Sequence, residues 1–99
     1  MNNMRAIHPG EIIKEEYLEP LNMSANALAL ALRVPASRIN DVISQKRGVS
    51  IDTALRLARY FNTTAQFWMN LQISYDLKIA KQDMAKIDSE IIPLQATTA

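Results

Sequence analysis

The sequence has no cysteine, a single histidine and only two glycines among its 99 residues. Without cysteine there is no disulfide framework, no thiolate metal site and no thiol nucleophile. The one histidine, His8, belongs to no recognisable metal or catalytic set, so we expect it to act as a helix cap. A Ser/His/Asp set and a glycine-rich phosphate loop are also missing. The sequence therefore predicts that the protein is not an enzyme and needs no metal or other cofactor.

Long apolar runs are absent as well. No stretch reaches the roughly 20 apolar residues that cross a bilayer, and the N-terminus lacks the apolar segment of a signal peptide. We therefore expect a cytoplasmic protein that does not associate with a membrane. The scarcity of glycine and the abundance of Ala, Leu and Ile predict an all-α fold. A chain of this length can form one domain with one core.

The small net charge of +1 is unevenly distributed along the chain. Residues 1–32 have a net charge of −2, and the part after residue 59 has a net charge of −1. Residues 33–59 carry six basic and two acidic side chains, a net charge of +4. A basic segment of this kind is typical of proteins that contact nucleic-acid phosphates.

Residues 24–44 have the pattern of a helix-turn-helix. Ser24 is a suitable N-cap for a first helix. Pro35, which disfavours a helical Val34, suits the start of a second helix that runs to the end of this stretch. Arg33 lies in the turn, where a left-handed backbone and usually glycine are expected. Six apolar residues fit the inward positions of the motif: Leu28, Ala29, Leu32, Val34, Ile39 and Val42.

The second helix of this motif has one apolar face and one face of small and polar residues. Such a polar face can enter a DNA major groove. The alternative is an ordinary helical hairpin within an all-helical core. We favour DNA binding because all six inward positions are occupied as the motif requires. Lys46 and Arg47 follow the second helix directly, where a DNA backbone would pass.

Three further helices are predicted from the apolar periodicity, at about residues 9–19, 51–61 and 64–86. Pro20 is expected to end the first of them. Thr63 and Gln66 have the spacing of a capping box, and Gly48 is expected to supply a positive φ. The predicted division of the chain is a flexible N-terminal arm (1–7), a helix-turn-helix DNA-binding domain (8–86) and a C-terminal tail (87–99).

Two surface features suggest protein partners. Glu11, Glu15 and Glu19 recur every fourth residue and form an acidic edge, which is either a solvated face or a docking edge for a basic protein. The tail contains four closely spaced apolar and proline residues at positions 91–94. We expect this segment to pack on the domain, on a second copy or on a different protein.

Several blocks of the sequence resemble the HigA (VapI-type) antitoxins, which belong to the XRE-like, lambda-repressor-like helix-turn-helix class. The resemblance covers roughly residues 7–80. Arg33, in place of the usual turn glycine, and the C-terminal segment depart from it. The blocks that carry it are His8-Pro9-Gly10-Glu11-Ile12, Tyr17-Leu18-Glu19-Pro20-Leu21, Ser37-Arg38-Ile39-Asn40, Lys46-Arg47-Gly48 with Ser50, Asp52-Thr53-Ala54-Leu55-Arg56-Leu57-Ala58, Phe67-Trp68-Met69-Asn70-Leu71-Gln72 and Tyr75-Asp76-Leu77.

The resemblance implies a lambda-repressor-like all-α domain of five helices, the last of them extended. It also implies a homodimer that binds double-stranded operator DNA, represses its own operon and neutralises a HigB-type mRNA-cleaving toxin. Positions in the family motif assign base contacts to Ala36, Ser37, Arg38 and Asn40, and phosphate contacts to Ser24, Asn26, Lys46 and Arg47. The candidate toxin-binding residues are Glu11, Glu15 and Glu19.

Two alternatives to this function remain at the level of sequence. The first is a stand-alone XRE-type transcriptional repressor with no toxin partner. The second is a helical protein-interaction module that does not bind DNA, which is supported by Asp41 on the second motif helix and by the small net charge.

Overall fold

The computed structural model describes residues 5–95, and all regular structure in that range is helical. A continuous helix α1 covers residues 9–21, and a 3₁₀ turn at Lys81–Asp83 joins the last two helices. The all-α prediction is confirmed, and the predicted final helix is divided into two by that turn. Predictions for residues 1–4 and 96–99 lie outside the described residues. The other helices are α2 (Ala25–Leu32), α3 (Ala36–Ile43), α4 (Ile51–Phe61), α5 (Ala65–Ala80) and α6 (Met84–Glu90).

Helix α1 continues through Pro20, where the sequence predicted its end. Its central part, Ile13–Leu18, is π-helical, and the amide of Glu19 donates to the carbonyl of Lys14. Proline has no amide hydrogen to donate, and the wider π-helical turn absorbs the resulting change in hydrogen bonding. The helix ends at Asn22, which has a left-handed backbone with φ of 52°.

The helix starts are capped by side chains, with one difference from prediction. Ser24 and Ser50 cap α2 and α4 as expected, accepting hydrogen bonds from backbone amides three residues later. The cap of α5 is Thr64, whose hydroxyl accepts from the amide of Phe67. The predicted capping box of Thr63 and Gln66 is therefore wrong. Thr63 instead accepts a 2.7 Å hydrogen bond from the indole Nε1 of Trp68.

The loop between α3 and α4 does not place Gly48 at a positive φ, contrary to prediction. The left-handed residue of this loop is Gln45, with φ of 66°. A Cβ at position 48 would lie 2.8 Å from the side-chain amide of Gln72. Glycine is thus favoured there by the close approach of a buried side chain, a contact for which no local sequence pattern exists.

A single apolar core holds α3 in place. Ile39 and Val42 of α3 are fully buried, as are Leu28 of α2 and Trp68 of α5. On its other side α3 meets α1 at Gly10, where an added Cβ would lie only 1.9 Å from the carbonyl oxygen of Val42. The core and helix α1 therefore cover the inner side of α3, and its outer face remains at the surface.

The apolar residues of segment 91–94 project into solvent. Ile91 is 63 % exposed, Ile92 82 % and Leu94 97 %. Of the three expected alternatives for this segment, packing on its own domain is excluded by these exposures. Within residues 5–95 no helix is long and apolar enough to cross a membrane.

Replacing Arg33 with glycine should stabilise the protein. Arg33 ends α2 with φ of 61° and ψ of 43°, as predicted, and its side chain is exposed. A residue with a Cβ in this conformation costs about 1–2 kcal/mol relative to glycine. We expect Arg33→Gly to raise the free energy of unfolding by about 1 kcal/mol and the melting temperature by about 4–8 °C.

Thermal unfolding followed by circular dichroism tests this expectation. Arg33→Ala is the matched control, because it removes the same side chain but keeps the Cβ. Stabilisation by both variants would point to the side chain and not to the backbone, and a lower melting temperature of Arg33→Gly would contradict the prediction.

Candidate nucleic-acid interface

Helices α2 and α3 form the predicted helix-turn-helix. The Ser24 hydroxyl accepts a 3.0 Å hydrogen bond from the amide of Ala27, which fixes the start of α2. At the turn, the amide of Val34 donates to the carbonyl of Ala29, a bond made possible by the left-handed Arg33. Ala29 itself is buried between the helices. Its small side chain lets α3 cross α2 closely.

The outer face of α3 carries the residues predicted to read bases. Ala36, Ser37 and Asn40 are exposed, and Arg38 is half-buried with its side chain 28 % exposed. The four residues lie within the first five positions of the helix, the part that enters a major groove first in this class of motif. Their roles in DNA contact stay predictions, and their placement is compatible with them.

Asn40 and Asn26 are joined across the two helices. The Nδ2 group of Asn40 donates a 2.8 Å hydrogen bond to Oδ1 of Asn26 and a 2.9 Å hydrogen bond to the carbonyl of Ala36. Both hydrogens of that amide are therefore engaged. A bidentate contact from Asn40 to adenine uses Nδ2 as a donor, so it requires one of these two bonds to be exchanged for the base.

Arg38 is held by a carboxylate of helix α4. Its Nη1 donates a 2.6 Å hydrogen bond to Oδ2 of Asp52, and the same oxygen accepts a 2.9 Å bond from Nε of Arg56. The hydrogen bond from Arg38, followed by that from Arg56, holds the pKa of Asp52 below its ordinary value. This cluster was not predicted from the sequence. Only the four-residue spacing of Asp52 and Arg56 was a visible signal.

Lys46 and Arg47 lie on the exposed loop after α3. The backbone amides of both donate to the carbonyl of Asp41, at 2.8 and 3.2 Å, and this fixes the loop against the end of the helix. The Arg47 guanidinium is 3.6 Å from the Asp41 carboxylate. An exposed ion pair of this kind contributes only about 0–1 kcal/mol, so Arg47 can exchange its carboxylate for a phosphate at little cost.

The acidic edge predicted on α1 is not uniform. Glu15 and Glu19 are exposed, whereas Glu11 is half-buried. Glu11 also forms an ion pair with Arg5, which donates a 2.9 Å hydrogen bond to its Oε1. This hydrogen bond lowers the pKa of Glu11. Of the three predicted residues, only Glu15 and Glu19 offer an unengaged carboxylate among the contacts described.

His8 has the predicted structural role. It is buried, and its Nδ1 accepts a 2.9 Å hydrogen bond from the amide of Gly10, which caps α1. Its ring meets the ring of Tyr75 edge-on at 4.8 Å. Burial lowers the pKa of His8, against the opposing effect of the Asp76 carboxylate. A neutral imidazole is needed for the cap, since Nδ1 must be free to accept.

Comparison with known proteins identifies the family. The helix-turn-helix family matches residues 14–68 of the chain. The chain is 58 % identical to virulence-associated protein I of Dichelobacter nodosus over 94 % of its own length and 85 % of the relative's. It is 35 % identical to antitoxin HigA-1 of Vibrio cholerae, over 74 % of the chain and 69 % of the relative. The chain belongs to the HigA family of helix-turn-helix proteins.

The structure of this HigA-family chain agrees with that assignment. It is similar to the solved structure of Pseudomonas aeruginosa antitoxin HigA with the higBA promoter, with a TM-score of 0.86 and 49 % identity. That similarity covers 92 % of this chain and all of the other. The resemblance found in the sequence is therefore confirmed, and so is the five-helix domain that it implied, with its fifth helix divided into α5 and α6.

Proposed function

We propose that this HigA-family protein is the antitoxin of a type II toxin–antitoxin pair. It binds operator DNA as a homodimer, represses its own operon and neutralises a HigB-type mRNA-cleaving toxin. It acts in the cytoplasm by binding alone, without catalysis. The observation that carries the proposal is the exposed polar face of α3. It occurs in a chain that is 49 % identical to an antitoxin whose structure was solved with promoter DNA.

The DNA-binding mode follows from the position of α3. Two subunits related by a two-fold axis would place their α3 helices about 34 Å apart, in successive major grooves. We assign base contacts to Ala36, Ser37, Arg38 and Asn40, with Arg38 reading guanine, Asn40 adenine and Ala36 a thymine methyl. Phosphate contacts are assigned to Ser24, Asn26, Lys46 and Arg47. These set register and carry little sequence information.

The homodimer is supported by an apolar stripe along α5 and α6. Its members recur every three or four residues, so those within one helix lie on the same side of it. They are between 49 and 67 % exposed, apart from the smaller Ala80, which is also exposed. Because α6 crosses residue 87, the proposed boundary between domain and tail lies inside a helix. The stripe consists of Ile73, Leu77 and Ala80 on α5 and Met84 and Ile87 on α6, and it continues to Ile91, the extended residue directly after α6.

Substitution of Arg38 tests the DNA-reading role. We expect Arg38→Ala to relax discrimination between operator and non-operator DNA, at a cost of about 1–3 kcal/mol in operator binding. Lys46→Ala, the control, should weaken binding to all duplexes alike and reduce the slope of log affinity against log salt by about 1. Titration of both variants against two duplexes, the DNA upstream of the gene and non-operator DNA, measures these effects. Equal loss on both kinds of duplex for Arg38→Ala would contradict base reading.

The toxin-binding role of α1 has its own test. Charge reversal by Glu15→Lys together with Glu19→Lys should weaken capture of a basic HigB-type toxin and leave operator binding intact, because both residues are exposed on α1, outside the helix-turn-helix. Isothermal calorimetry with the toxin measures the first effect. Lys46→Ala is the reciprocal control, with DNA binding reduced and toxin binding retained. Unchanged toxin affinity in the double variant would remove this edge from the proposal.

A further inference from the structure

Asp52 connects the base-reading helix to the body of the domain. It is the second residue of α4, and its Oδ2 accepts hydrogen bonds from Nη1 of Arg38 at 2.6 Å and Nε of Arg56 at 2.9 Å. Arg38 is one of the residues assigned to base contact. Asp52 therefore contacts a side chain assigned to DNA reading, although it lies on a different helix and fourteen residues after Arg38 in the sequence.

Arg56 fixes the position of the Asp52 carboxylate. While its Nε donates to Asp52, its Nη1 donates a 2.9 Å hydrogen bond to the carbonyl of Leu32, the last residue of α2. That carbonyl is one of the unpaired acceptors at a helix C-terminus. The chain of bonds from Leu32 through Arg56 and Asp52 to Arg38 thus crosses α2, α4 and α3, which makes the carboxylate a fixed support.

We propose that Asp52 is a positioning residue that presents Arg38 for guanine recognition. With Nη1 held by the carboxylate, the edge formed by Nε and Nη2 stays available for a bidentate contact to guanine O6 and N7. An arginine side chain has considerable rotamer freedom, and part of it is already removed before DNA arrives. The inference rests on the proposed DNA-binding function.

Because Asp52 is negatively charged, its substitution should change non-specific DNA binding and operator discrimination in opposite directions. A carboxylate beside the DNA-binding face opposes phosphates, so its neutralisation should strengthen non-specific binding. If Asp52 also orients Arg38, the same substitution must weaken discrimination of the operator. General damage to the fold would lower both kinds of binding, so the opposed changes separate positioning from structural damage.

Asp41 provides the matched control. It lies on α3 and pairs its carboxylate with Arg47 at 3.6 Å, while Asp52 supports Arg38. Asp41→Asn on α3 and Asp52→Asn on α4 each remove one negative charge whose carboxylate pairs with an arginine assigned to DNA contact. Only Asp52→Asn removes the negative charge from a group that holds a residue assigned to base reading.

The experiment compares affinities for two duplexes of equal length, the DNA upstream of the gene and a scrambled sequence. We expect Asp52→Asn to lower the ratio of the two affinities about tenfold, which corresponds to about 1.4 kcal/mol, and Asp41→Asn to leave the ratio unchanged. In an Arg38→Ala background, Asp52→Asn should have no further effect on the ratio. Replacing each guanine in turn with 7-deazaguanine should show one position to which the wild type is sensitive and Asp52→Asn is less so.

Each other outcome overturns the inference in an identifiable way. If Arg38→Ala lowers the ratio but Asp52→Asn does not, the positioning role is wrong and the proposed function stands. If the wild type does not prefer the upstream DNA at any salt concentration, both fail. Thermal unfolding establishes that each variant is folded. If Asp52→Asn is not folded, Asp52→Ser is measured in its place, and the same fall in the ratio of the two affinities is expected.

Discussion

Gly10→Ala is expected to destabilise the protein by about 3 kcal/mol or more, at the upper end of what overpacking costs. A Cβ at this position would lie 1.9 Å from the carbonyl oxygen of Val42, 2.8 Å from its carbonyl carbon and 3.0 Å from the Cα of Ile43. All three atoms belong to the backbone of α3, so no side-chain rotation can relieve the clash. The helices α1 and α3 must separate to accommodate the methyl group.

The same separation should impair DNA binding. Val42 is fully buried, and a shift of its backbone moves the whole of α3, including the predicted base-reading residues at its start. We expect a melting temperature more than about 10 °C below that of the wild type, and weaker operator binding at temperatures where the variant remains folded.

Gly48→Ala is the control for Gly10→Ala. Its Cβ would approach the side chain of Gln72 at 2.8 Å, and a side chain can move where a backbone cannot. Displacing Gln72 costs at most that side chain's own interactions, including its hydrogen bond with Val49, so the melting temperature should fall by less than in Gly10→Ala, as measured by circular dichroism on both variants. A Gly10→Ala variant that melts with the wild type would contradict the close approach of α1 to α3.

The elements of this fold that were predictable are those with local causes. The start of α2 follows from the hydroxyl of Ser24, the left-handed turn from the spacing between the two motif helices, and the buried face of α3 from Ile39 and Val42. Each of these signals lies within a few residues of its effect. The helix-turn-helix was therefore recognisable before any tertiary contact was known.

The elements that were wrong or missed depend on contacts distant in the sequence. The lack of a side chain at Gly48 is explained by the close approach of Gln72, twenty-four residues later, and not by a positive φ. The support of Arg38 by Asp52 likewise joins two helices with no shared local pattern. The capping box failed for another reason: Thr63 and Thr64 are both suitable caps, and Thr63 is engaged by the indole of Trp68. Only tertiary structure selects between neighbouring candidates of the same chemistry.

Gln72→Ala is expected to have the second large effect, of about 2–4 kcal/mol in the free energy of unfolding. Gln72 is 9 % exposed, and its Oε1 accepts a 2.6 Å hydrogen bond from the buried amide of Val49. Its Nε2 donates a 2.9 Å bond to Asp76, which fixes the orientation of the amide. Truncation leaves the Val49 amide without its partner and opens a cavity beside Gly48. Each effect alone costs about 1–3 kcal/mol.

The consequence for DNA binding follows from where this bond lies. Val49 ends the loop that carries Lys46 and Arg47, the proposed phosphate contacts, so losing its anchor should free that loop. Because phosphate contacts do not depend on sequence, we expect Gln72→Ala to weaken binding to operator and non-operator duplexes by the same factor. This distinguishes it from Arg38→Ala, which should affect operator binding more strongly.

Gln66→Ala is a suitable control on the same helix. Gln66 is exposed, and its Nε2 donates a 2.8 Å hydrogen bond to Asn70, so the chemical change is identical but takes place in solvent. Surface substitutions of this kind stay within about 0.5 kcal/mol of the wild type. Urea unfolding gives the stability difference, and DNA titration gives the affinities. If Gln72→Ala loosened operator binding alone, the loop would be reading bases and the division between Arg38 and Lys46 would have to be redrawn.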